Sequence, residues 1–231
     1  MVDMKHSERV LFLDIDNCLY SPDLGISQMM KSRIYAYGRE IGLDSDEVEE
    51  TCSTYFKDYG LTVRGLVLHH NIDPQEFNDK VDGSLPLEDI IKPNPLLRNM
   101  IESANARIWA FTNAGLDHAS RVLKCLGIED LFEGITYCDY TEPNFPCKPE
   151  KRVYEKAMKE AGVSNPQLCY FADDSAKNVE AALQLDWTAV HVSKQTSSCE
   201  HGYIAGEDNI IRCCHIETVL NLPQALPELF S

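Results

Sequence analysis

The chain has 231 residues, enough for one large domain or a core with a smaller insert, and its 44% apolar and 25% charged content is that of a globular protein. Lys plus Arg total 21 against 37 Asp plus Glu, and the resulting −16 repels phosphate backbones: polymeric nucleic acid is excluded as an expected partner, whereas a small anion screened locally by a cation is not. Nine cysteines without a CxxC pair point to a reducing compartment, cytosol or nucleus, and no leader-like or membrane-length apolar run is present.

Val10 to Leu13 is a continuous apolar run, the pattern of a parallel strand buried on both faces, and it ends in Asp14-Ile15-Asp16. Helical spacing follows. Ile26, Met30, Ile34, Tyr37 and Ile41 define a first helix, and Val48, Cys52, Tyr55 and Tyr59 a second, with Asp44 or Ser45 expected to cap it. Val63, Leu66 and Val67 fit a short third helix. Asp73-Pro74 opens a fourth through Phe77 and Val81, and Gly83-Ser84 closes the block. From Pro93 the rhythm alternates. A helix at Leu96 to Ile101 precedes a strand at Ile108 to Phe111, and a helix at Val122 to Leu126 stops at Gly127. A weak strand at Ile135-Thr136 precedes a helix at Val153 to Ala161. A strand at Leu168 to Ala172, a helix at Val179 to Leu183 and a strand at Ala189 to Val192 follow. Ser197 to Asp208 reads as a loop, and Ile210 to Leu222 as a short strand and helix.

Repeated βα units imply an α/β fold, a doubly wound parallel sheet with right-handed crossovers, interrupted after its first strand by an all-helical insert. The expected division is a core of residues 1–19 and 93–231 and a helical cap of residues 20–92. The cap would hang over the carboxyl edge of the sheet, where open α/β sheets bind ligands. Three further elements bring chemistry to that edge. Thr112-Asn113 follows one strand, Asp173-Asp174 ends another, and Lys148 sits between Cys147 and Pro149 before a helix.

Carboxylates, a hydroxyl, an amide and an ammonium group suit a hard cation, Mg2+, with a phosphate. In such a set Asp14 would attack phosphorus and form an aspartyl-phosphate, splitting one displacement into two. Lys148 and the cation would neutralise the two anions that meet, Asp16 would trade a proton with the leaving alkoxide and then with water, and Thr112 and Asn113 would donate to phosphate oxygens.

The ordered signals Asp14-Ile15-Asp16, Thr112-Asn113, Lys148-Pro149 and Asp173-Asp174 resemble the four motifs of the haloacid dehalogenase-like phosphohydrolases over about residues 8 to 195. Residues 14–20, 59–66, 111–114 and 136–140 narrow the resemblance to the fungal pyrimidine 5′-nucleotidase branch. It implies a Rossmann-like core, a helical cap of the first class, Asp14 as nucleophile, Asp16 as acid/base, and Lys148 with Thr112 as phosphate ligands. It further implies Mg2+ held by the Asp14 carboxylate, the Asp16 backbone carbonyl and the acidic pair Asp173 and Asp174, with Asp174 the more direct. Cys18 departs from the Thr or Ser usual in the family. Asp16 favours phosphatase chemistry, since dehalogenases of this superfamily lack a second acid.

The expected activity is a Mg2+-dependent phosphomonoesterase for a small phosphate ester, nucleoside 5′-monophosphates first and pyrimidines among them. Sugar phosphates or lysophosphatidic acid are the alternative substrates. A binding protein on a retired phosphatase fold is the non-enzyme alternative, and intact Asp14, Asp16, Lys148 and Asp174 count against it. Arg64 in the third helix is the candidate cap contact to substrate, and Tyr20, Tyr55, Phe56 and Tyr59 offer either a stacking wall or packing.

Overall fold

The computed structural model describes residues 8–142, 144–194, 201–205 and 210–230. Seven strands form one sheet: β1 (Val10–Leu13), β2 (Arg107–Phe111), β3 (Gly134–Thr136), β4 (Cys169–Asp173), β5 (Thr188–Val192), β6 (His201–Ala205) and β7 (Ile210–Ile216). Their order is β3-β2-β1-β4-β5-β7-β6; every pair is parallel except β6–β7 at the edge. All four residues of β1 are buried, because β1 sits at the centre of the sheet with helices on both faces.

Alternate residues of each strand feed two separate cores. Leu11, Leu13, Ile108, Ala110 and Tyr170 pack on one face. There they meet α6 (Pro95–Glu102), α7 (Leu116–Leu126) and the C-terminal residues Leu222, Leu226 and Leu229. Val10, Phe12, Trp109, Phe111 and Phe171 pack on the other, under α8 (Lys151–Glu160), α9 (Ala176–Gln184) and Trp187. Phe12 and Trp187 stack at 4.7 Å between ring centres. Asn94 caps α6 by accepting from the Leu97 amide at 3.1 Å, with Pro95 in the first turn where its missing N–H costs nothing. Gly127 ends α7 at φ 71°, the left-handed conformation that a side chain resists.

Between β1 and α6 the chain is helical: α1 (Ile26–Glu40), α2 (Val48–Tyr59), α3 (Thr62–His70), α4 (Pro74–Lys80) and a single-turn α5 (Leu87–Ile90). Tyr37, Val63, Leu66, Phe77 and Val81 bury a core of their own, completed by Cys138, Phe145 and Cys147 from the segment after β3. Helices α2 and α3 approach closely at Gly65, where a Cβ would lie 2.3 Å from the Tyr55 ring. Asp73 caps α4 as its sequence predicts, accepting from the Gln75 amide at 2.9 Å.

Three expectations are corrected. Glu47, not Asp44 or Ser45, precedes α2, and Asp44 spends its carboxylate on the Asp46 amide within the turn. The helical block does not stop at Gly83-Ser84, because α5 adds a turn beyond it. The loop expected over Ser197 to Asp208 contains β6, a strand whose His-Gly-Tyr-Ile-Ala lacks the apolar run that marks its buried neighbours; residues 197–200 and 206–208 lie outside the described residues. The strand and helix expected over Ile210 to Leu222 correspond to β7 and to α10 (Leu222–Ala225).

Candidate active site

Strand register brings the predicted residues together. Leu13 lies opposite Ala110 on one side and Ala172 on the other, so the residues that follow emerge at one level. The ladder runs one bond further between β1 and β4, where Asp14 N–H donates to Ala172 O at 2.9 Å, and between β2 and β3, where Thr112 N–H donates to Thr136 O at 3.0 Å. Asp14 thereby stands beside Asp173 at the end of β4. Ligand atoms of Asp14, Asp173 and Asp174 lie within 4.8 Å of one another, the one such acidic group among the described residues.

Lys148 arrives from the segment after β3 and is 1% exposed. Its Nζ donates to Asp14 Oδ1 at 2.7 Å, Asp173 Oδ2 at 2.6 Å and the Phe111 carbonyl at 2.6 Å, and it lies 4.9 Å from the Phe111 ring centre. Burial alone would push its pKa down, but the two carboxylates hold it up, so the ammonium persists. Asp14 shows the opposite balance: burial, helped by the charges of Asp173 and Asp174, raises its carboxyl well above the usual range despite Lys148. Burial and Asp173 likewise push Asp174 up to about 6. This cluster carries more negative charge than one ammonium offsets, and three carboxylate oxygens at that spacing fit a small divalent cation.

Asn113 is placed beside Lys148, and its side chain is engaged there: Nδ2 donates to Lys148 O at 3.0 Å while Oδ1 accepts from Lys148 N–H at 2.7 Å. The amide therefore locks the loop after β2 to the loop before α8. Thr112 Oγ1 accepts from the Ala114 amide at 2.9 Å, which leaves its hydroxyl proton to offer elsewhere. Asp173 is saturated with donors, since Oδ1 also accepts from Ser175 N–H at 2.8 Å and Asn178 Nδ2 at 3.0 Å. Cys18, at the position usually held by a hydroxyl residue, points its thiol at Ala172 O at 3.6 Å.

Asp16 meets partners that sequence reasoning missed. Its Oδ1 accepts from Tyr20 OH at 2.6 Å and pairs with His118 Nε2 at 2.8 Å. Burial works against its charge, but the His118 cation and the two hydrogen bonds outweigh burial and hold the carboxyl below its usual range. The reciprocal effect raises His118 to about 9 against its burial, so Nε2 is a donor at neutral pH. A signal for His118 existed: it shares the buried stripe of α7 with Ala119, Val122, Leu123 and Leu126, where a polar residue is out of place.

Asp82, 5% exposed beside His118, has its carboxyl raised by burial to about 6. A raised carboxyl penalises the folded state only when ionised: the penalty is absent below about pH 4, grows through pH 6 and is complete above it. Asp82→Asn is therefore expected to raise stability at pH 8, by about 3 kcal/mol at most, and by about a third of that at pH 4.5; thermal melts at the two pH values check the sign.

These groups line one cavity of about 1110 Å3, with Asp14, Asp16, Thr112, Asn113, Lys148 and Asp174 at the sheet end and Lys31, Tyr35, Phe56, Lys57 and Arg64 from the helices opposite. Arg64 spans the two sides, its Nη1 ion-paired with Glu150 just before α8. Of the four aromatics, Tyr20 is spent on Asp16 and Phe56 is 61% exposed. Tyr55 stacks on His69 at 5.2 Å, and Tyr59 OH bonds His69 Nε2 at 2.7 Å.

Residues 8–186 match the haloacid dehalogenase-like hydrolase family. The chain belongs to that family. The chain is 37% identical over 195 residues to phosphate metabolism protein 8 of Saccharomyces cerevisiae, covering 79% of the chain but only 61% of the yeast protein's length. Its fold is that of a HAD phosphatase from Thermococcus onnurineus (TM-score 0.61, 18% identity, 96% of this chain and 100% of that one). A HAD-hydrolase from Bacillus subtilis solved with magnesium bound is similar (TM-score 0.63, 15% identity, 95% and 98%). So is the L-2-haloacid dehalogenase of Xanthobacter autotrophicus (TM-score 0.59, 12% identity, 95% and 98%).

Proposed function

We propose that this hydrolase is a Mg2+-dependent phosphomonoesterase acting on small phosphate esters, nucleoside 5′-monophosphates first and pyrimidine nucleotides among them. The observation that carries the reading is Lys148 Nζ held at 2.7 Å from Asp14 Oδ1, with the Asp16 carboxyl two residues on and facing the same cavity. A lone anion-binding pocket has no use for both carboxyls.

In this reading Asp14 attacks phosphorus as the ester bond breaks, and an aspartyl-phosphate forms. Asp16, ionised at rest beside the His118 cation, would take up a proton as the anionic ester binds, give it to the departing alkoxide and then take one from the water that hydrolyses the acyl phosphate. Lys148 offsets charge on the transferring oxygens and Thr112 offers its hydroxyl to one of them. Asn113 acts through its backbone and through its grip on Lys148. Asp14, Asp174 and the Asp16 carbonyl would hold Mg2+, with Asp173 orienting the set through Lys148, Ser175 and Asn178. When bound, the cation would supply the positive charge that lets two anions meet. Residues 20–92 serve as the cap, and Arg64 would exchange Glu150 for a substrate group when the cavity fills.

The test is phosphate release from a panel of esters. EDTA is expected to stop turnover and Mg2+ to restore it. Nucleotides are expected to exceed sugar phosphates and lysophosphatidic acid in kcat/KM by more than about tenfold, roughly 1.4 kcal/mol. Metal-independent turnover, or none with any ester, rejects the reading; a flat panel rejects only the nucleotide preference.

A further inference from the structure

His118 belongs to no motif of the strand ends, yet its side chain has no exposed surface and is turned away from the apolar contacts of its neighbours in α7 toward Asp16. Its Nε2 and Tyr20 OH converge on the same oxygen, Asp16 Oδ1, at 2.8 and 2.6 Å. Oδ2 has no hydrogen-bond partner among the described residues, and the Asp16 side chain keeps 31% of its surface on the cavity side. A carboxylate pinned at one oxygen by two donors from different elements has its rotation about the Cβ–Cγ bond fixed. The oxygen left over is then presented to the cavity. Without the imidazole, Tyr20 alone is a single pivot, and the carboxyl is free to swing.

We propose that His118 is a positioning residue for Asp16: it clamps Oδ1 so that Oδ2 faces the departing group of the ester. The proposal rests on the reading of Asp16 as acid/base. It assigns His118 no contact with substrate or metal and no proton of its own to the reaction. Its cost to the fold is a buried imidazole whose Nδ1 has no hydrogen-bond partner among the described residues. An apolar residue would fill that place in α7 better, so a purely structural role does not account for it.

The experiment compares His118→Leu and His118→Gln with the parent chain on two esters. One is an alkyl phosphate such as a nucleoside monophosphate, whose leaving oxygen needs a proton; the other is 2,4-dinitrophenyl phosphate, whose phenolate leaves without one. His118→Leu is expected to lower kcat/KM for the alkyl ester by about 10²-fold and for the dinitrophenyl ester by less than about fivefold. His118→Gln, whose Nε2 reaches the place of the imidazole Nε2, is expected to recover most of the loss. Equal losses on both esters, no loss, or no recovery by glutamine overturns the proposal. If the leucine variant does not fold, His118→Asn replaces it, since its shorter amide falls short of Asp16 and the same ratio is read. A parent chain inactive on both esters rejects the acid/base reading and the proposal together; an active parent with variants that lose both activities equally rejects the proposal alone.

Discussion

Asp14→Asn is expected to lose turnover by about 10⁴-fold or more while melting within about 3 °C of the parent chain or above it. The two halves of this outcome have one cause. Burial and the charges of Asp173 and Asp174 already disfavour an ionised Asp14, so the neutral amide relieves repulsion and costs the fold little. Lys148 keeps Asp173 as its counterion through the 2.6 Å contact. The proposed mechanism, by contrast, has no substitute for the attacking oxygen of Asp14. Single-turnover experiments with radiolabelled phosphate ester check the assignment, because the parent chain should trap label on protein at early times and Asp14→Asn should not. Retention of near-normal turnover removes Asp14 from the nucleophile's role.

Lys148→Met is expected to damage both. Methionine matches the lysine stem but leaves Asp14 and Asp173 buried and facing each other without their cation, a loss of about 3–5 kcal/mol, or a fall in melting temperature of roughly 10 °C. Turnover should fall by about 10³-fold or more, since in the proposed mechanism the ammonium also offsets charge on the transferring phosphoryl oxygens. Added Mg2+ should recover part of the lost melting temperature and little of the turnover, because a cation among the carboxylates relieves their repulsion without restoring the Lys148 contact. Differential scanning fluorimetry with and without Mg2+, beside steady-state kinetics, separates the two effects. A variant as stable as the parent would mean that the buried pair at 2.6 to 2.7 Å is not a stabilising contact.

The contrast between these variants shows which parts of the site a sequence can announce. Apolar runs that stop at polar residues are local signals, and β1, β2 and β4 are where they indicate, with Asp14 level with Phe111 and Asp173 through the register of three parallel strands and Thr112 one residue further on. Helices α1 to α4 follow their periodicity, and Asp73 and Gly127 cap as their types dictate. What is hidden depends on distance in three dimensions. His118 is 102 residues from Asp16 and Asn113 is 35 from Lys148, so neither pairing leaves a spacing to read. Tyr20, an aromatic near a cavity, invites a stacking role, whereas its hydroxyl is taken by Asp16. β6 escapes notice because an edge strand pairs on one side only and needs no apolar run to be held. Asp82 follows the fourth helix as a lone carboxylate, and no sequence pattern marks its burial.

The reacting end of the cavity is built from strand ends cross-braced through Asn113, Lys148 and Asp173, while the opposite wall comes from one uninterrupted stretch of helices. Drift in that wall, at positions such as Tyr35 or Lys57, leaves every bond among the braced groups untouched. If the proposed function holds, such drift would alter which ester is admitted without altering how it is cleaved.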